Sequence, residues 1–252
     1  MKLNLVPLFI ITLVLFYCVN SKNENPADGI IDKAIEVSGG DIFSNSIIDF
    51  DFRNRHYKAF RNNGLFEFER EFQDTLGTFK DVLSNSGYER FLNNEPYQVH
   101  DTMSVKYARS INSVHYFSIL PYGLNDESVN KTYLEKVTIK DQEYHKIKVT
   151  FSENGGGEDY DDVFLYYINT NSSKLDYFSY LYYVDGGGIR FREAYNERYV
   201  KGLRFVDYKN FKPEQEDADL NILDSLYQIE ELKLLSKIEL ENISVKQLYN
   251  AY

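Results

Sequence analysis

Arg190 and Arg192 are the side chains in this sequence whose type and spacing best suit a chemical task. One residue separates them in a run of strand-forming residues, so both project from the same face of a strand. A guanidinium can donate two parallel hydrogen bonds to a carboxylate or phosphate, and the pair could therefore hold an anionic headgroup. In the structural alternative, a carboxylate on an adjoining strand, such as Asp176, neutralises the arginines. We favour the structural interpretation and keep the ligand-binding one open.

Histidine and lysine side chains give weaker signals of chemistry. The four histidines are scattered singly along the chain, a pattern more typical of hydrogen-bonded structural residues than of ligands. His115 is kept as a candidate ligand-binding residue. In the alternative of an enzyme of unrecognised type, His115 and His145 are the histidines that it could use. Lys146 and Lys148 could in principle form a Schiff base. Their shared strand face also carries tyrosine and threonine, which predicts a solvated face instead.

Two glycine triplets lie in loops that we expect at the same end of a sheet. Gly155–Gly157 and Gly186–Gly188 can adopt positive φ angles without steric cost, which is typical of plain turns. Acidic residues crowd this end, but they lack the regular oxygen spacing of a dedicated calcium loop. We therefore predict no metal and no cofactor, and an enzyme that uses this acidic rim remains an alternative. The carboxylates of the rim are Glu153, Glu158, Asp159, Asp161, Asp162 and Asp185.

No familiar catalytic motif is present in the sequence. Neither glycine triplet has the spacing of a phosphate-binding loop, and the chain has no G-x-S-x-G elbow and no H-E-x-x-H pair. The net charge of −11 makes binding to a nucleic-acid backbone a poor hypothesis. We therefore assign no catalytic residue and expect no nucleic-acid partner.

Five strand-length runs between residues 144 and 211 must position these side chains. All are rich in Val, Ile, Tyr, Phe and Thr, and short turns join them, which favours an antiparallel meander. The runs are Tyr144–Phe151, Asp162–Ile168, Lys174–Val184, Gly188–Glu197 and Gly202–Phe211. Several of them have apolar residues on both faces, so both faces of the sheet must be covered.

An earlier hairpin, turning at Asn62-Asn63-Gly64, indicates which face of the sheet points inward. In its second strand Phe66, Phe68 and Phe72 alternate with glutamates, so the phenylalanines share the inward face. They are candidate ligand-binding residues, because 22 Tyr and 18 Phe could line a cavity as well as a filled core. Counting all runs predicts a mainly β (α+β) fold of about 11–12 meandering antiparallel strands and about three helices, in which a strongly curved sheet wraps around the helices. Leu232–Ile243 is expected as its last strand.

The N-terminus has the pattern of an export signal. Lys2 precedes the apolar run Leu3–Tyr17, which is too short for a comfortable membrane span and ends at Cys18, the only cysteine. We predict a lipoprotein-type signal peptide over residues 1–18 with Cys18 as the lipid attachment site. A flexible tether over 19–28 and a single domain over 29–252 follow.

Tyr17 stands where such signals usually have a small residue. A secretory signal that is cut after Ser21, or an uncleaved anchor, is therefore the alternative to lipidation.

Several stretches of the chain resemble a family of predicted bacterial lipoproteins known only as a domain of unknown function. Together they span most of the chain after the signal. They are Phe50–Tyr57 (FDFRNRHY), Asn112–Asp126 (NSVHYFSILPYGLND), Tyr144–Phe151 (YHKIKVTF), Gly186–Asn196 (GGGIRFREAYN) and Gly202–Tyr208 (GLRFVDY). In layout, this family looks like the LolA-like periplasmic lipoprotein carriers, which implies an unclosed half-barrel with a concave, apolar face covered by helices.

The resemblance implies an anchored protein on the periplasmic side of the cell envelope. We expect it to bind a lipid or another hydrophobic or amphiphilic small molecule in the concave face, and to meet the membrane through its N-terminal lipid. A structural envelope protein without a ligand is the other alternative. Some relatives carry a deoxyribose-phosphate aldolase label, but that enzyme needs a β/α barrel, and this chain has no strand–helix alternation.

Overall fold

The computed structural model describes residues 25–154, 160–215 and 217–248. Three α-helices are present among them: α1 (Pro26–Ser38), α2 (Asp101–Ser118) and α3 (Leu223–Gln228). The strands are β1 (Asn45–Phe52), β2 (Arg55–Asn62), β3 (Leu65–Asp74), β4 (Gly77–Ser84), β5 (Gly87–Leu92), β6 (Glu95–Pro96), β7 (Val129–Ile139), β8 (Gln142–Phe151), β9 (Val163–Asn169), β10 (Leu175–Tyr182), β11 (Gly188–Val200), β12 (Leu203–Pro213), β13 (Leu232–Ile238) and β14 (Glu241–Gln247). None of the helices in this part of the chain is long and apolar enough to cross a membrane.

The described strands form two open, seven-stranded antiparallel sheets. The N-terminal sheet has the order β14-β1-β2-β3-β4-β5-β6, and the central sheet has the order β13-β12-β11-β10-β9-β8-β7. Sequential strands are neighbours in both sheets except where β14 joins β1. The predicted mainly β, antiparallel half-barrel with three helices is confirmed, with fourteen described strands rather than 11–12.

The end of the chain explains part of the difference in strand number. The single strand expected over 232–243 is two strands in different sheets, because the chain leaves the central sheet after Ile238 and enters the N-terminal sheet at Glu241. Leu240 lies in the crossing, where its N–H donates to Asp207 Oδ1 at 3.0 Å and its carbonyl accepts from Arg198 Nη2 at 2.6 Å. The backbone groups that no strand satisfies there are thus bonded to side chains.

The first hairpins follow the alternation of the sequence. Ile48 and Phe50 of β1 are fully buried, as the period of two predicts. Asn63 and Gly64 both have positive φ, of 48° and 89°, between β2 and β3. Two consecutive positive φ angles twist a two-residue turn in the same sense as the strands it joins, so this pair fixes the register of the hairpin.

Helices cover the central sheet on both faces. Phe164 and Tyr166 of β9 belong to a cluster with α1 and with the segment that follows α2. Leu165 and Tyr167 point to the other face and pack with Leu223 of α3. The two-sided apolar pattern of this strand therefore has the cause that the sequence suggested, which is a covering layer on each side.

Lys146 corrects part of the expectation of a solvated face on β8, whereas Lys148 on the same face is exposed, as expected. Its side chain is buried, and its Nζ donates to the carbonyl of Asn221 at 2.6 Å and to Asp224 Oδ1 at 3.3 Å. The face is covered at Lys146 because α3 and the turn before it pack there, which the pattern of β8 alone could not indicate. The buried ammonium is compensated by the carboxylate of Asp224.

A charged network fastens α2 to the N-terminal sheet. Arg70, Asp81 and Arg90 lie directly opposite one another on β3, β4 and β5. Asp81 is fully buried, and its Oδ2 accepts hydrogen bonds from Arg70 Nη2 at 2.6 Å and from Arg90 Nη2 at 2.9 Å. From α2, Ser110 Oγ accepts a bond from Arg70 Nη1 at 3.0 Å, and the Tyr107 ring lies 3.8 Å from the guanidinium of Arg90. The helix is thus held by polar contacts as well as by apolar ones.

A cationic cleft between the two sheets

A cleft of about 510 Å³ lies between the two sheets, beside α2. The N-terminal sheet, α2, the central sheet and the crossing between β13 and β14 all contribute to its wall. The residues that line it are Phe52, Arg53, Arg55, Tyr57, Ser110, Ser113, Val114, Phe117, Ser118, Tyr180, Arg192, Val206, Tyr208, Asn210, Ile238 and Leu240. The wall is part apolar and part polar, which is the composition expected of a site for a small amphiphilic molecule.

The charges of the cleft are all of one sign. Its lining includes the three arginines Arg53, Arg55 and Arg192, but no aspartate or glutamate among the described residues. The chain as a whole has a net charge of −11. The cleft is therefore a local positive region on an acidic protein, and such a region attracts anions.

Arg192 is the deepest of the three cations. Only 8% of its surface is exposed, and the only hydrogen bond of its guanidinium among the described residues runs from Nη2 to the Tyr180 hydroxyl at 2.8 Å. The buried Nε has no hydrogen-bond partner. The guanidinium also lies 4.2 Å from the centre of the Phe117 ring on α2. The side chain is held in place by rings and a hydroxyl, and no described carboxylate neutralises it.

The carboxylates that could have neutralised Arg192 are engaged elsewhere. Asp176 lies 3.4 Å from Arg204 Nη2. Glu193 faces the opposite side of β11, where it pairs with Lys209 at 2.9 Å and Lys140 at 3.0 Å. Within the described part of the chain, Arg192 therefore does not form the ion pair that the structural interpretation requires.

Arg190 lies on the same face as Arg192 but outside the lining of the cleft. Its Nη2 donates to the Tyr182 hydroxyl at 2.8 Å, and its Nη1 donates to the carbonyl of Ile189. Each of the two arginines thus donates a hydrogen bond to a tyrosine hydroxyl of β10. They differ in that only Arg192 lines the cleft. Of the pair that the sequence singled out, the structure brings only Arg192 into the cleft.

Arg53 and Arg55 stand at the solvent-exposed side of the cleft. Arg53 is the first residue of the turn between β1 and β2, and Arg55 directly follows this turn, in which Arg53 and Asn54 both have positive φ, of 51° and 58°. This tight turn limits where the two side chains can reach. The guanidinium of Arg55 lies 4.9 Å from the ring of Phe72, one of the predicted site residues.

Phe66, Phe68 and Phe72 share the inward face of β3, as predicted, but they do not line the cleft. Phe68 is buried beneath α2, with its ring stacked 4.6 Å from the ring of His115. Phe66 packs beside it at 4.8 Å, and Phe72 stacks on Phe79 at 5.5 Å. Their side of the sheet is occupied by α2 and by neighbouring rings.

His115 is a core residue of α2. It is fully buried, and burial lowers its pKa to about 3, helped by the nearby positive charge of Arg61. Its Nε2 lies 3.3 Å from the carbonyl of Glu69. The ring is therefore neutral at physiological pH and packs between aromatic side chains. His145 lies elsewhere, edge-on to Tyr133 at 5.8 Å, so the structure does not bring the two histidines together.

The acidic rim is described only in part. Glu158 and Asp159 lie outside the described residues, as does the first glycine triplet, Gly155–Gly157. Within residues 25–154, 160–215 and 217–248, no group of three or more acidic, histidine or cysteine residues could hold a metal ion. Cys18 also lies outside the described part of the chain.

Sequence reasoning missed Arg55 and the residues that α2 contributes. Arg55 directly follows the Arg53-Asn54 turn, and Ser110, Ser113 and Phe117 recur at helical spacing along α2. This spacing marks one side of a helix. It would have identified a common face of α2, although not the sheet that this face approaches.

The fold and the cleft define a mainly β protein, an open antiparallel half-barrel with a positively charged cleft. The chain belongs to a family of unknown function, DUF6503, whose model matches residues 6–242. No curated protein shows significant similarity to it.

Two solved structures show distant similarity to the fold. A LolA superfamily protein from Nitrosomonas europaea has 10% identity and a TM-score of 0.48, with 90% of this chain and 94% of that chain covered. A DUF1329 family protein from Desulfovibrio piger has 9% identity and a TM-score of 0.41, with the same coverage of 90% and 94%.

Proposed function

We propose that this protein binds a hydrophobic or amphiphilic small molecule in the cleft between its two sheets. The cleft itself carries the proposal. Its volume of about 510 Å³ is in the range of small-molecule sites, and its wall combines aromatic and aliphatic side chains with a few polar groups. A filled core of the same residues would leave no such space, because protein interiors are closely packed.

The described lining favours binding over catalysis. Ser110, Ser113 and Ser118 supply hydroxyls, but no histidine or carboxylate lines the cleft within the described residues to serve as their general base. A nucleophilic hydroxyl needs such a base within hydrogen-bond reach. The remaining groups can position a ligand, and that is the role we assign to them.

A tryptophan at position 113 tests whether the cleft is the binding site. Ser113 lines the cleft from α2 and is only half-buried, so Ser113→Trp should fill part of the space with little loss of stability. We expect the wild-type chain from residue 19 onwards to bind the neutral fluorophore N-phenylnaphthylamine saturably. The Ser113→Trp variant should bind it roughly tenfold more weakly, a loss of about 1.4 kcal/mol.

Asn112→Trp is the matched control, because Asn112 is the adjacent helix residue, is exposed and does not line the cleft. It should bind the fluorophore as the wild type does. Equal losses in both variants would indicate a general effect on α2. Absence of saturable binding by the wild type would contradict the proposed function and leave a structural envelope protein as the better interpretation.

We also propose that the protein is attached to the cell envelope through Cys18. The support is the apolar run of residues 3–17 that ends at this cysteine. Cys18→Ser should abolish metabolic labelling with palmitate and move the protein from the membrane fraction to the soluble periplasmic fraction. A wild type that takes up no label, or a variant that stays in the membrane fraction, would show that the anchor is of another kind.

A further inference from the structure

We infer that the molecule bound in the cleft carries an anionic group, a carboxylate or a phosphate, and that Arg192 holds this group. The inference rests on the proposed function and specifies its ligand class. Arg192 is a charged side chain that is more than nine-tenths buried, lines the cleft and has a single hydrogen bond among the described residues. No other charged residue of the cleft is as deeply placed.

An isolated buried guanidinium is costly, because burial removes the water that would solvate its charge. Two other buried arginines of this protein, Arg70 and Arg204, meet that cost with carboxylates. Arg70 is paired with Asp81 at 2.6 Å, and Arg204 contacts both Glu197 and Asp176. Arg192 has the same need and no such partner in the described chain. An anion in the cleft would supply it.

Arg61 is the closest comparison. It is also buried with no carboxylate partner among residues 25–154, 160–215 and 217–248, and burial lowers its pKa to about 10. Its guanidinium lies over the ring of Phe68, 4.6 Å from the ring centre, and does not line the cleft. The lack of a carboxylate alone therefore does not mark a site. The combination of an unpaired cation and an accessible cleft occurs at Arg192.

The surroundings of Arg192 suit an anion attached to an apolar body. Arg53 and Arg55 add positive charge on the exposed side, and no described acidic residue of the lining opposes them. Val206 and Phe117 line the same cleft and offer apolar contact. A planar guanidinium can bind carboxylate or phosphate oxygens with two parallel bonds, and in a site shielded from water each bond is strengthened.

Displacement of N-phenylnaphthylamine by four ligands with the same alkyl chain tests the inference. Laurate and dodecyl phosphate carry an anion, dodecanol is neutral and dodecyltrimethylammonium is a cation. All are used below their micellar concentrations with the chain from residue 19 onwards, which contains the whole described core. We expect the anionic ligands to bind roughly ten- to a hundredfold more tightly than dodecanol, as charge-assisted hydrogen bonds predict. The cation should bind most weakly.

Two tail-free anions, acetate and inorganic phosphate, separate the possible sources of the charge. If the ligand is an amphiphile, neither should displace the fluorophore at concentrations where laurate does. If inorganic phosphate alone displaces it as well as dodecyl phosphate does, the site is one for a free anion, and the amphiphile part of the inference is wrong.

Substitutions on β11 test whether Arg192 is the side chain that causes the preference for laurate over dodecanol. Arg192→Gln should reduce the ratio of laurate to dodecanol affinity roughly tenfold or more while dodecanol affinity is retained. Arg192→Lys keeps the charge but not the planar fork, so it should retain part of the preference. Arg190→Gln is the matched control, because it removes the same group from the same strand face outside the cleft lining. It should leave the ratio unchanged.

If the wild type binds dodecanol and laurate with equal affinity, the inference of an anionic ligand is wrong. The proposed function, binding of an amphiphilic molecule, is not contradicted by that result. Failure of the fluorophore itself to bind would instead contradict the proposed function. If Arg190→Gln lowers the ratio of laurate to dodecanol affinity as fully as Arg192→Gln does, the preference for anions does not come from direct contact with Arg192. That result would contradict the inference. Should Arg192→Gln fail to fold, the selectivity of the wild type and the Arg192→Lys variant still decide the matter.

Discussion

Replacing Asp81 by asparagine should destabilise the protein by roughly 3–5 kcal/mol, as loss of one partner from a buried ion pair does. Asp81 is fully buried between Arg70 and Arg90, and Tyr88 donates to its Oδ1 at 2.6 Å. Asparagine has nearly the same shape but no charge, so two guanidiniums would remain in the interior without compensation. Urea unfolding of the wild type and the variant at neutral pH measures the difference.

The acid dependence of stability gives a second measurement of the same network. Burial alone would raise the pKa of Asp81, but hydrogen bonds from Arg90, Tyr88 and Arg70 outweigh burial and hold this pKa below its ordinary value. A carboxyl whose folded-state pKa is depressed contributes stability above its unfolded pKa, and this contribution is lost as the pH falls through the folded value. The gap between the wild type and Asp81→Asn should therefore be full at neutral pH and should shrink at strongly acidic pH.

Glu69→Gln is the control for this experiment, since it breaks an ion pair on the same sheet that is partly exposed to solvent. Lys58 and Glu69 are 3.1 Å apart, with 39% and 21% of their side chains exposed. Such a pair contributes at most about 1 kcal/mol. If Asp81→Asn costs no more than Glu69→Gln, the buried network is not what holds this part of the sheet.

Truncating Phe68 to alanine should also cost roughly 3–5 kcal/mol, because it leaves a cavity in a filled region. The Phe68 ring contacts the rings of His115 and Phe66, and the guanidinium of Arg61 lies over it. Since Phe68 does not line the cleft, affinity for N-phenylnaphthylamine should stay unchanged in the molecules that remain folded. Thermal unfolding and a binding titration on the same variant give both quantities.

Phe66→Ala is the matched comparison, because Phe66 lies two residues away on the same face but is only half-buried. Its truncation should cost clearly less than that of Phe68. A small loss of stability for Phe68→Ala together with weakened fluorophore binding would mean that this ring belongs to a ligand cavity after all, as the sequence alone allowed.

The architecture was largely predictable because it depends on local periodicity. Alternation placed Ile48 and Phe50 inside, and the Asn63-Gly64 turn set the hairpin of β2 and β3. The same periodicity also contains a feature that indicates the charged network, although we did not predict the network from the sequence. Arg70 stands between Phe68 and Phe72 on an inward face, and a charge at an inward position needs a partner on the next strand.

The cleft was less predictable because it depends on elements distant in sequence. Arg192 was singled out, but its lack of a carboxylate follows from the pairing of Asp176 with Arg204. The burial of Lys146 depends on a helix about 80 residues further along, which covers its strand face. A single strand pattern holds no information about which helix packs upon it.

The pairing of β1 with β14 has a consequence for the synthesis of this protein. Asp51 and Asn242 are joined by a hydrogen bond across 191 positions of sequence, so the outer edge of β1 has no partner until almost the whole chain is available. Closing so long a loop is slow, and an unpaired edge invites association with other chains. A nascent or shortened chain that lacks β14 is thus the aggregation-prone form. Completion of the N-terminal sheet is a late step in the folding of each newly synthesised chain.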